Sequence, residues 1–460
     1  MFFKTKKMDL EISGVKKTGT SWRQILQAIL ASLPFFTLSL ETTSLEDFRV
    51  LPAPPTDVPW SITIRVLVAI VTAPGYCYLM RRWGRRTALC LIVFLQGLSC
   101  IPLFLSPTII TSTALYLITG AYYSGIYITI PIYIRETNDN HRSPMLALIT
   151  VMTNLGQVVR MLVTFEVMMI IMVLMVVVQF LSSVMMVESS SYYVVIGEDQ
   201  KALTAHAKLK CLNEDESSVT SEIEALRNES KRAKDKMVEN AGYFTLVRIW
   251  KNLIWRDITV IGVILHTVTT LCGSIVFLDH RKILMQLKLD NEPDEVLVYT
   301  CLLVGALICL VTIQFVERRV LLTLGFCIMV LSMGVLAIYT QVDLTIRYLR
   351  EVPFVCLVLT LICYGLIRDL PLIVMTEMLN LEIRSTIIGF LFIYTQLLTI
   401  IQEHSFKYIE DYVGLYTTLY IYVGINIYSF VYSLFRLPDI KNKNARQIER
   451  QVKRIPLFDF

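Results

Sequence analysis

The sequence predicts an all-α membrane protein of twelve transmembrane helices arranged as two six-helix halves. Composition is the first reason. The chain of 460 residues is 55% hydrophobic and only 18% charged, where a soluble domain would carry about 25% charged residues. Mean hydropathy is +0.58. A helix crosses the hydrocarbon layer in about twenty residues, so a dozen spans take roughly 240 residues and leave roughly 220 for loops and tails. The second reason is a series of twelve apolar segments, and the third is a one-sided distribution of Lys and Arg.

The segments follow in order. Met1 to Lys17 carries five lysines and no cleavable apolar core, so it reads as a cytosolic tail rather than a signal peptide. Span 1 is expected at Gln24 to Leu40. Val58 to Met80 and Thr87 to Leu105 flank the basic cluster Arg81, Arg82, Arg85 and Arg86. Ser112 to Tyr133 and Pro144 to Val163 are parted by Arg135 and Arg142, and Met168 to Val187 is nearly fused to the segment before it. Six more follow a long polar stretch: Ile258 to Leu278, Val296 to Val316, Val320 to Tyr339, Pro353 to Met375, Ile387 to Ile401 and Leu415 to Leu434. Polar residues interrupt the first and the eleventh, so hydropathy alone leaves a count of eleven open.

Charge decides the parity. With both termini and the even-numbered loops on the cytosolic side, 33 of the 43 basic residues fall inside, seven outside and three within spans. Lys and Arg resist translocation, and a wrong helix count would scramble that bias. The implied organisation is a cytosolic tail over residues 1–23, a first half over 24–187, a cytosolic linker over 188–253, a second half over 254–436 and a cytosolic tail over 437–460. Two helices are expected in the linker, Gln200 to Leu212 and one starting at a capping box of Ser221 and Glu224 and running towards Met237. Its basic residues Lys231, Arg232, Lys234 and Lys236 are diluted by Glu229, Asp235 and Glu239, which fits a solvated face better than a calmodulin or lipid site.

Other functions find little support. A net charge of +5 with dispersed basic residues does not make a nucleic-acid surface. Nine of the ten cysteines lie in apolar runs and Cys211 in the linker, with no disulfide or metal spacing. No phosphate-cradling glycine motif and no catalytic triad can be assembled, so neither an enzyme nor a cofactor is expected. The sequon Asn228-Glu229-Ser230 falls on the expected cytosolic side and should be unused.

Several motifs fit the six-plus-six layout. After span 2 comes Leu79-Met80-Arg81-Arg82-Trp83-Gly84-Arg85-Arg86; after span 4, Pro131-Ile132-Tyr133-Ile134-Arg135-Glu136, then Arg142; after span 6, Glu188-Ser189-Ser190-Ser191-Tyr192-Tyr193. Glu317-Arg318-Arg319 repeats the first loop in shortened form, Pro371, Glu377 and Arg384 bracket the end of span 10, and Pro438-Asp439-Ile440-Lys441-Asn442-Lys443 follows span 12. Over nearly the whole chain these resemble the sugar porter family of the major facilitator superfamily, especially insect trehalose and glucose facilitators. The departures are Arg81 where the family has Asp, Val187 and Ser190 in place of two prolines, and the missing glycine of the second loop.

The resemblance implies the major facilitator fold and a facilitative carrier of a sugar or small polyol. It also implies a cytosolic lock in which Glu136, Glu188, Glu317 and Glu377 face Arg82, Arg85, Arg86, Arg142, Arg318, Arg319 and Arg384. Charge pairs at helix ends can hold one state of a rocking protein without forbidding the other. A purely topological role explains the arginines but not the acids, which contribute little to orientation. Loss of the acid at Arg81 should weaken the lock in the first half.

The sugar site departs furthest. Sugar hydroxyls call for groups that donate and accept beside an aromatic face. Where the family carries Gln-Gln-x-x-Gly-x-Asn in span 7, this chain has Thr269-Thr270-Leu271-Cys272-Gly273-Ser274-Ile275, and the other family positions fall near Met161, Leu372 and Phe392. Ionisable groups within spans become substitute candidates: Arg65, Arg160, His266, Arg368 and Asp369. Arg65 and Arg160 also fit snorkelling to the headgroups, and His266 a packing role. Asn154, Gln157, Tyr394, Thr395 and Gln396 could complete a cavity or simply bond neighbouring helices. Three readings stay open: a sugar carrier, a non-transporting sensor or scaffold, and a carrier of a different, anionic solute with Arg160 or Arg368 as counter-charge. The partners expected are a small solute and the lipid bilayer, with no nucleic acid; a monomer in the plasma membrane is assumed.

Overall fold

A computed structural model describes residues 21–44, 60–105, 108–138, 141–213, 216–238, 245–273, 295–341, 351–441, 443 and 445–454. The described residues are helical throughout apart from short connections. The first six spans are α1 (Trp22–Ser44), α2 (Trp60–Arg82), α3 (Arg85–Phe104), α4 (Ile109–Thr137), α5 (Arg142–Leu162) and α6 (Phe165–Met185). The linker folds as α7 (Ser190–Ile196), α8 (Asp199–Lys210), α9 (Ser217–Val238) and α10 (Thr245–Lys251). The last six spans are α11 (Leu253–Thr270), α12 (Glu295–Thr312), α13 (Arg318–Gln341), the pair α14 (Val352–Ile367) and α15 (Leu370–Met378), α16 (Leu381–Val413) and α17 (Leu415–Phe435). A short amphipathic helix, α18 (Ala445–Arg454), follows. Twelve of these segments are long and apolar enough to cross a membrane.

The eleventh span departs furthest from expectation, running from Leu381 to Val413 instead of Ile387 to Ile401, and three other boundaries differ for a local reason. The first span extends one turn past Leu40 to Ser44 and so takes in Glu41, whose carboxylate finds buried hydroxyls instead of water. The seventh ends at Thr270, where Gly273 turns the chain at φ 104°, a left-handed conformation that favours glycine. The tenth is broken at Arg368-Asp369, because Pro371 has no N–H to give the Ile367 carbonyl. In the linker, α9 begins a turn before Ser221, whose hydroxyl bonds the Ser218 carbonyl inside the helix, so Ser221 is not the cap.

Spans 2 and 11 and spans 5 and 8 form the most extensive contacts between the first six spans and the last six, with smaller ones from spans 4 and 5 to spans 10 and 11. In one seam the Cys77 thiol meets the Ser385 carbonyl at 3.3 Å; in the other the Asn154 amide donates to the Leu302 carbonyl at 3.3 Å. The linker helices sit at the end of the bundle that carries the basic loops, called here the linker face.

Candidate functional site

The linker face is built from two similar units. Arg85, at the start of α3, is 5% exposed and donates through Nε and Nη2 to the two oxygens of Glu136 at 2.9 and 3.1 Å. Tyr192 of α7 lies against the other side of this guanidinium, 5.2 Å from ring centre to Cζ. Six spans later Arg318, at the start of α13, lies 3.3 Å from Glu377 on α15. Each unit thus pairs an arginine that opens one span with a glutamate at the end of the next.

Both glutamates also reach the opposite set of spans. Arg384, on the first turn of α16, approaches Glu136 Oε1 at 3.5 Å, and Ser143, on the first turn of α5, bonds Glu377 and receives Arg318. The spans are therefore tied together at the linker face through two buried carboxylates. Buried charge pairs of this kind are costly to break one partner at a time.

Glu188 closes the first unit from below. Its carboxylate accepts the backbone N–H groups of Arg85 and Arg86, each at 3.0 Å, where the amides at the start of α3 point free. Gly84 allows this: at φ 98° it turns the chain, and a Cβ there would collide with that carboxylate. Burial pushes the Glu188 carboxyl above its ordinary range, against the amides of Ser189, Arg86 and Arg85 and the charge of Arg85.

Not every expected member joins. Glu317 is exposed and forms no ion pair among the described residues, since it precedes α13 and offers only its carbonyl to Leu321. Arg82 is exposed and contributes its carbonyl, which accepts from Tyr192 at 3.0 Å. Arg86 and Arg319 bond the carbonyls of Val184 and Leu434, tying neighbouring spans instead of bridging the two sets. The crossing contact beside the half-buried Arg142 is made by Ser143, a residue whose sequence gave no signal beyond its place between Arg142 and Pro144.

The linker supplies what Arg81 lacks. Arg81 donates to the Glu382 carbonyl at 3.0 Å, and the free Leu381 amide at the start of α16 is accepted by Glu229 of α9 at 3.3 Å. Ser230 bonds the Glu382 carboxylate at 2.6 Å and Lys234 lies 3.7 Å from it. A carboxylate from the linker thus stands at the positive end of α16, beside the loop that carries Arg81.

The candidate solute residues fall into three places. His266 shares a contact with Thr395 at 3.2 Å, and Thr267 meets Tyr394 at 2.7 Å, so spans 7 and 11 are joined by polar groups. Thr269 is spent on the carbonyls of Leu265 and His266; Thr270 is half-buried on the last turn of α11, and Ser274 lies outside the described residues. Asn154 and Gln157 sit on α5, each with a buried side-chain oxygen that has no partner among the described residues, and Arg160 donates to the Val163 carbonyl at 3.3 Å. Gln396 is buried on α16. Arg368 and Asp369 are half-buried at the break between α14 and α15.

Two features lay outside the sequence reading. Glu41 is 1% exposed and accepts hydroxyls from Ser99 at 2.9 Å, Tyr122 at 2.5 Å and Thr119. Tyr123 and Tyr127 of α4 meet Phe392 of α16 at ring distances of 5.7 and 6.0 Å, an aromatic contact between spans 4 and 11. Glu41 becomes visible once span 1 is extended one turn; the aromatic cluster carries no sequence signal without the packing.

Twelve spans in this arrangement are those of a membrane transporter with the major facilitator fold, not of an enzyme. The chain belongs to the sugar transporter family: the family described as "Sugar (and other) transporter" matches residues 36–452. Among solved structures it is similar to the proton:xylose symporter XylE bound to 6-bromo-6-deoxy-D-glucose, with a TM-score of 0.73 and 14% identity over 93% of this chain and 98% of that one. A double Trp mutant of XylE gives 0.74 and 15% over the same shares. The inward-open xylose transporter XylE from E. coli gives 0.63 and 16%, again over 93% and 98%. No curated protein matches the chain.

Proposed function

We propose that the protein is a facilitative carrier that moves a hexose, a trehalose-like sugar or a small polyol across the membrane by alternating access. Family membership supports the solute class. The observation that carries the mechanism is the pair of buried carboxylates, Glu136 and Glu377, each bonded both within its own set of spans and across to the other. Such contacts hold the linker face shut and can be exchanged for others when the halves rock. The basic residues of that face support a cytosolic setting for it and for both termini. A monomer in the plasma membrane is the simplest setting.

Uptake of labelled glucose and trehalose into proteoliposomes tests the reading, with a Pro371→Leu, Glu377→Ala double variant as control. Saturable uptake that the variant loses is expected. Folded protein that gives no uptake above empty liposomes would favour the sensor or scaffold reading, which the loss of the family's amides at Thr269 and Thr270 already recommends. Alternating cysteine labelling at the two faces would separate a moving carrier from a static relative.

A further inference from the structure

Between spans 3 and 6 the surface of the first half is hollowed into a groove of about 380 Å³, within the roughly 300–1,000 Å³ of ligand pockets. Val93, Gly97 and Ile101 of α3 line one wall and Val176, Phe180 and Leu181 of α6 the other, and no lining residue has a polar side chain. Gly97 keeps the groove open: a Cβ there would meet Val176 alone, at 3.4 Å. Phe94 and Leu181 at its edges are each 59% exposed. Both helices are long and apolar enough to cross a membrane, so the groove opens onto hydrocarbon. A void left unfilled there forfeits dispersion contacts along its lining.

One end of the groove is charged. Arg86 lies two turns before Val93 on the same face of α3, and its Nη2 donates to the Val184 carbonyl of α6, one turn past Leu181. The guanidinium thus joins both walls about 4.5 Å along the helix axis beyond Leu181, towards the linker face. Arg86 forms no ion pair among the described residues. The nearby Glu188 carboxylate is committed to the backbone amides of Arg85 and Arg86, each at 3.0 Å. Trp83, in the adjoining loop, keeps its ring 62% exposed, as indoles do at the level of the headgroups. An apolar channel therefore ends on an unanswered cation.

We propose that an anionic phospholipid of the linker-face leaflet binds here, with one acyl chain in the groove between α3 and α6 and its phosphate on Arg86. Shape and charge call for the same molecule, since a phosphate takes a guanidinium through charge-assisted hydrogen bonds. A choline headgroup would set a second cation beside Arg86, so a headgroup of net negative charge is selected. A second copy of the chain would have to bring its own acid to the edge of the hydrocarbon, where a lipid already carries one. The site lies on the lipid side of the first half and is independent of the solute.

The test is lipid retention by the purified full-length protein, released from nanodiscs of mixed phosphatidylcholine and phosphatidylglycerol and weighed by native mass spectrometry. Wild type should keep one phosphatidylglycerol in excess of the bilayer ratio. Arg86→Gln, which keeps an amide for the Val184 carbonyl, should lower that enrichment about fivefold, the effect of one basic residue near a membrane surface. Gly97→Leu fills the groove with the charge left in place and should abolish the extra lipid, so the site stays testable if the arginine variant misfolds. Wild type that carries both lipids in the bilayer ratio, or folded variants that keep phosphatidylglycerol like wild type, would overturn the site. Retention of either lipid that Gly97→Leu abolishes and Arg86→Gln leaves unchanged would overturn the headgroup assignment. A dimer that Gly97→Leu dissolves would give the groove to a second copy and overturn the proposal. Transport is not measured, so the carrier reading stands or falls separately.

Discussion

The Glu136 carboxylate takes Nε of Arg85 on one oxygen at 2.9 Å and stands 3.5 Å from Nη1 of Arg384 on the other. One acid therefore organises its own six spans and holds the opposite six. Its side chain is 1% exposed and that of Arg384 4%, so neither charge has water to fall back on.

Glu136→Gln should for that reason do more than remove one contact. It leaves two buried guanidiniums without their counter-charge, and breaking a buried pair in this way costs about 3–5 kcal/mol. A melting temperature lowered by several degrees is expected, together with a longer distance between spin labels on the first turns of α5 and α16. A lowered melting temperature with an unchanged distance would mean that Glu136 serves only its own half.

Glu229 and Arg81 can be tested against each other. Glu229→Ala removes the carboxylate that accepts the Leu381 amide, worth about 1 kcal/mol for a helix cap. Arg81→Asp alone should also destabilise, since it sets a second acid near Glu229 and gives up the bond to the Glu382 carbonyl. Combined, the new aspartate can take over the vacant cap. The double variant should therefore be more stable than the sum of the two losses, and simple additivity in thermal unfolding would refute the exchange of roles.

The spans and their order were legible because span length and charge asymmetry are properties of composition, which no packing detail can hide. The arginines and glutamates of the loops were legible as a set, but their pairing was not. Arg85 with Glu136 and Arg318 with Glu377 depend on which helix ends meet, and Ser143 enters only because its Oγ happens to stand between Arg318 and Glu377. Helix ends were the weakest point. A boundary placed at Leu40 hid Glu41, and the apolar run through Leu278 concealed the turn at Gly273. The candidate solute residues scattered for the same reason: Thr269 satisfies its own helix, while Arg368 and Asp369 fall at the helix break before Pro371.

Glu41 should prove a structural keystone of the first half. Ser99 and Tyr122 donate to it at 2.9 and 2.5 Å, and Thr119 completes the set. Glu41→Leu leaves the Tyr122 hydroxyl buried without its acceptor, at about 1–3 kcal/mol, while Ser99 and Thr119 can each turn to a carbonyl of their own helix at 2.8 Å, Gln96 and Leu115. Glu41→Gln keeps one acceptor oxygen and should cost clearly less. Thermal unfolding of the two variants in the same detergent checks this, and a Leu variant as stable as the Gln variant would show that the Tyr122 hydroxyl finds another partner.

Glu188 makes stability depend on pH in a direction that can be stated in advance. Burial raises its carboxyl above the ordinary value of 4.5, so the folded protein holds that proton more tightly than the unfolded chain does. Stability then falls as pH rises from the unfolded value through the raised folded value, and stays lower above it. Glu188→Gln cannot titrate, although it keeps an oxygen for the Arg85 and Arg86 amides. The difference in melting temperature, wild type minus variant, should accordingly be largest near pH 4.5 and shrink towards neutral pH. A difference that grew with pH would mean that the backbone amides and the Arg85 charge outweigh burial and favour the ionised form.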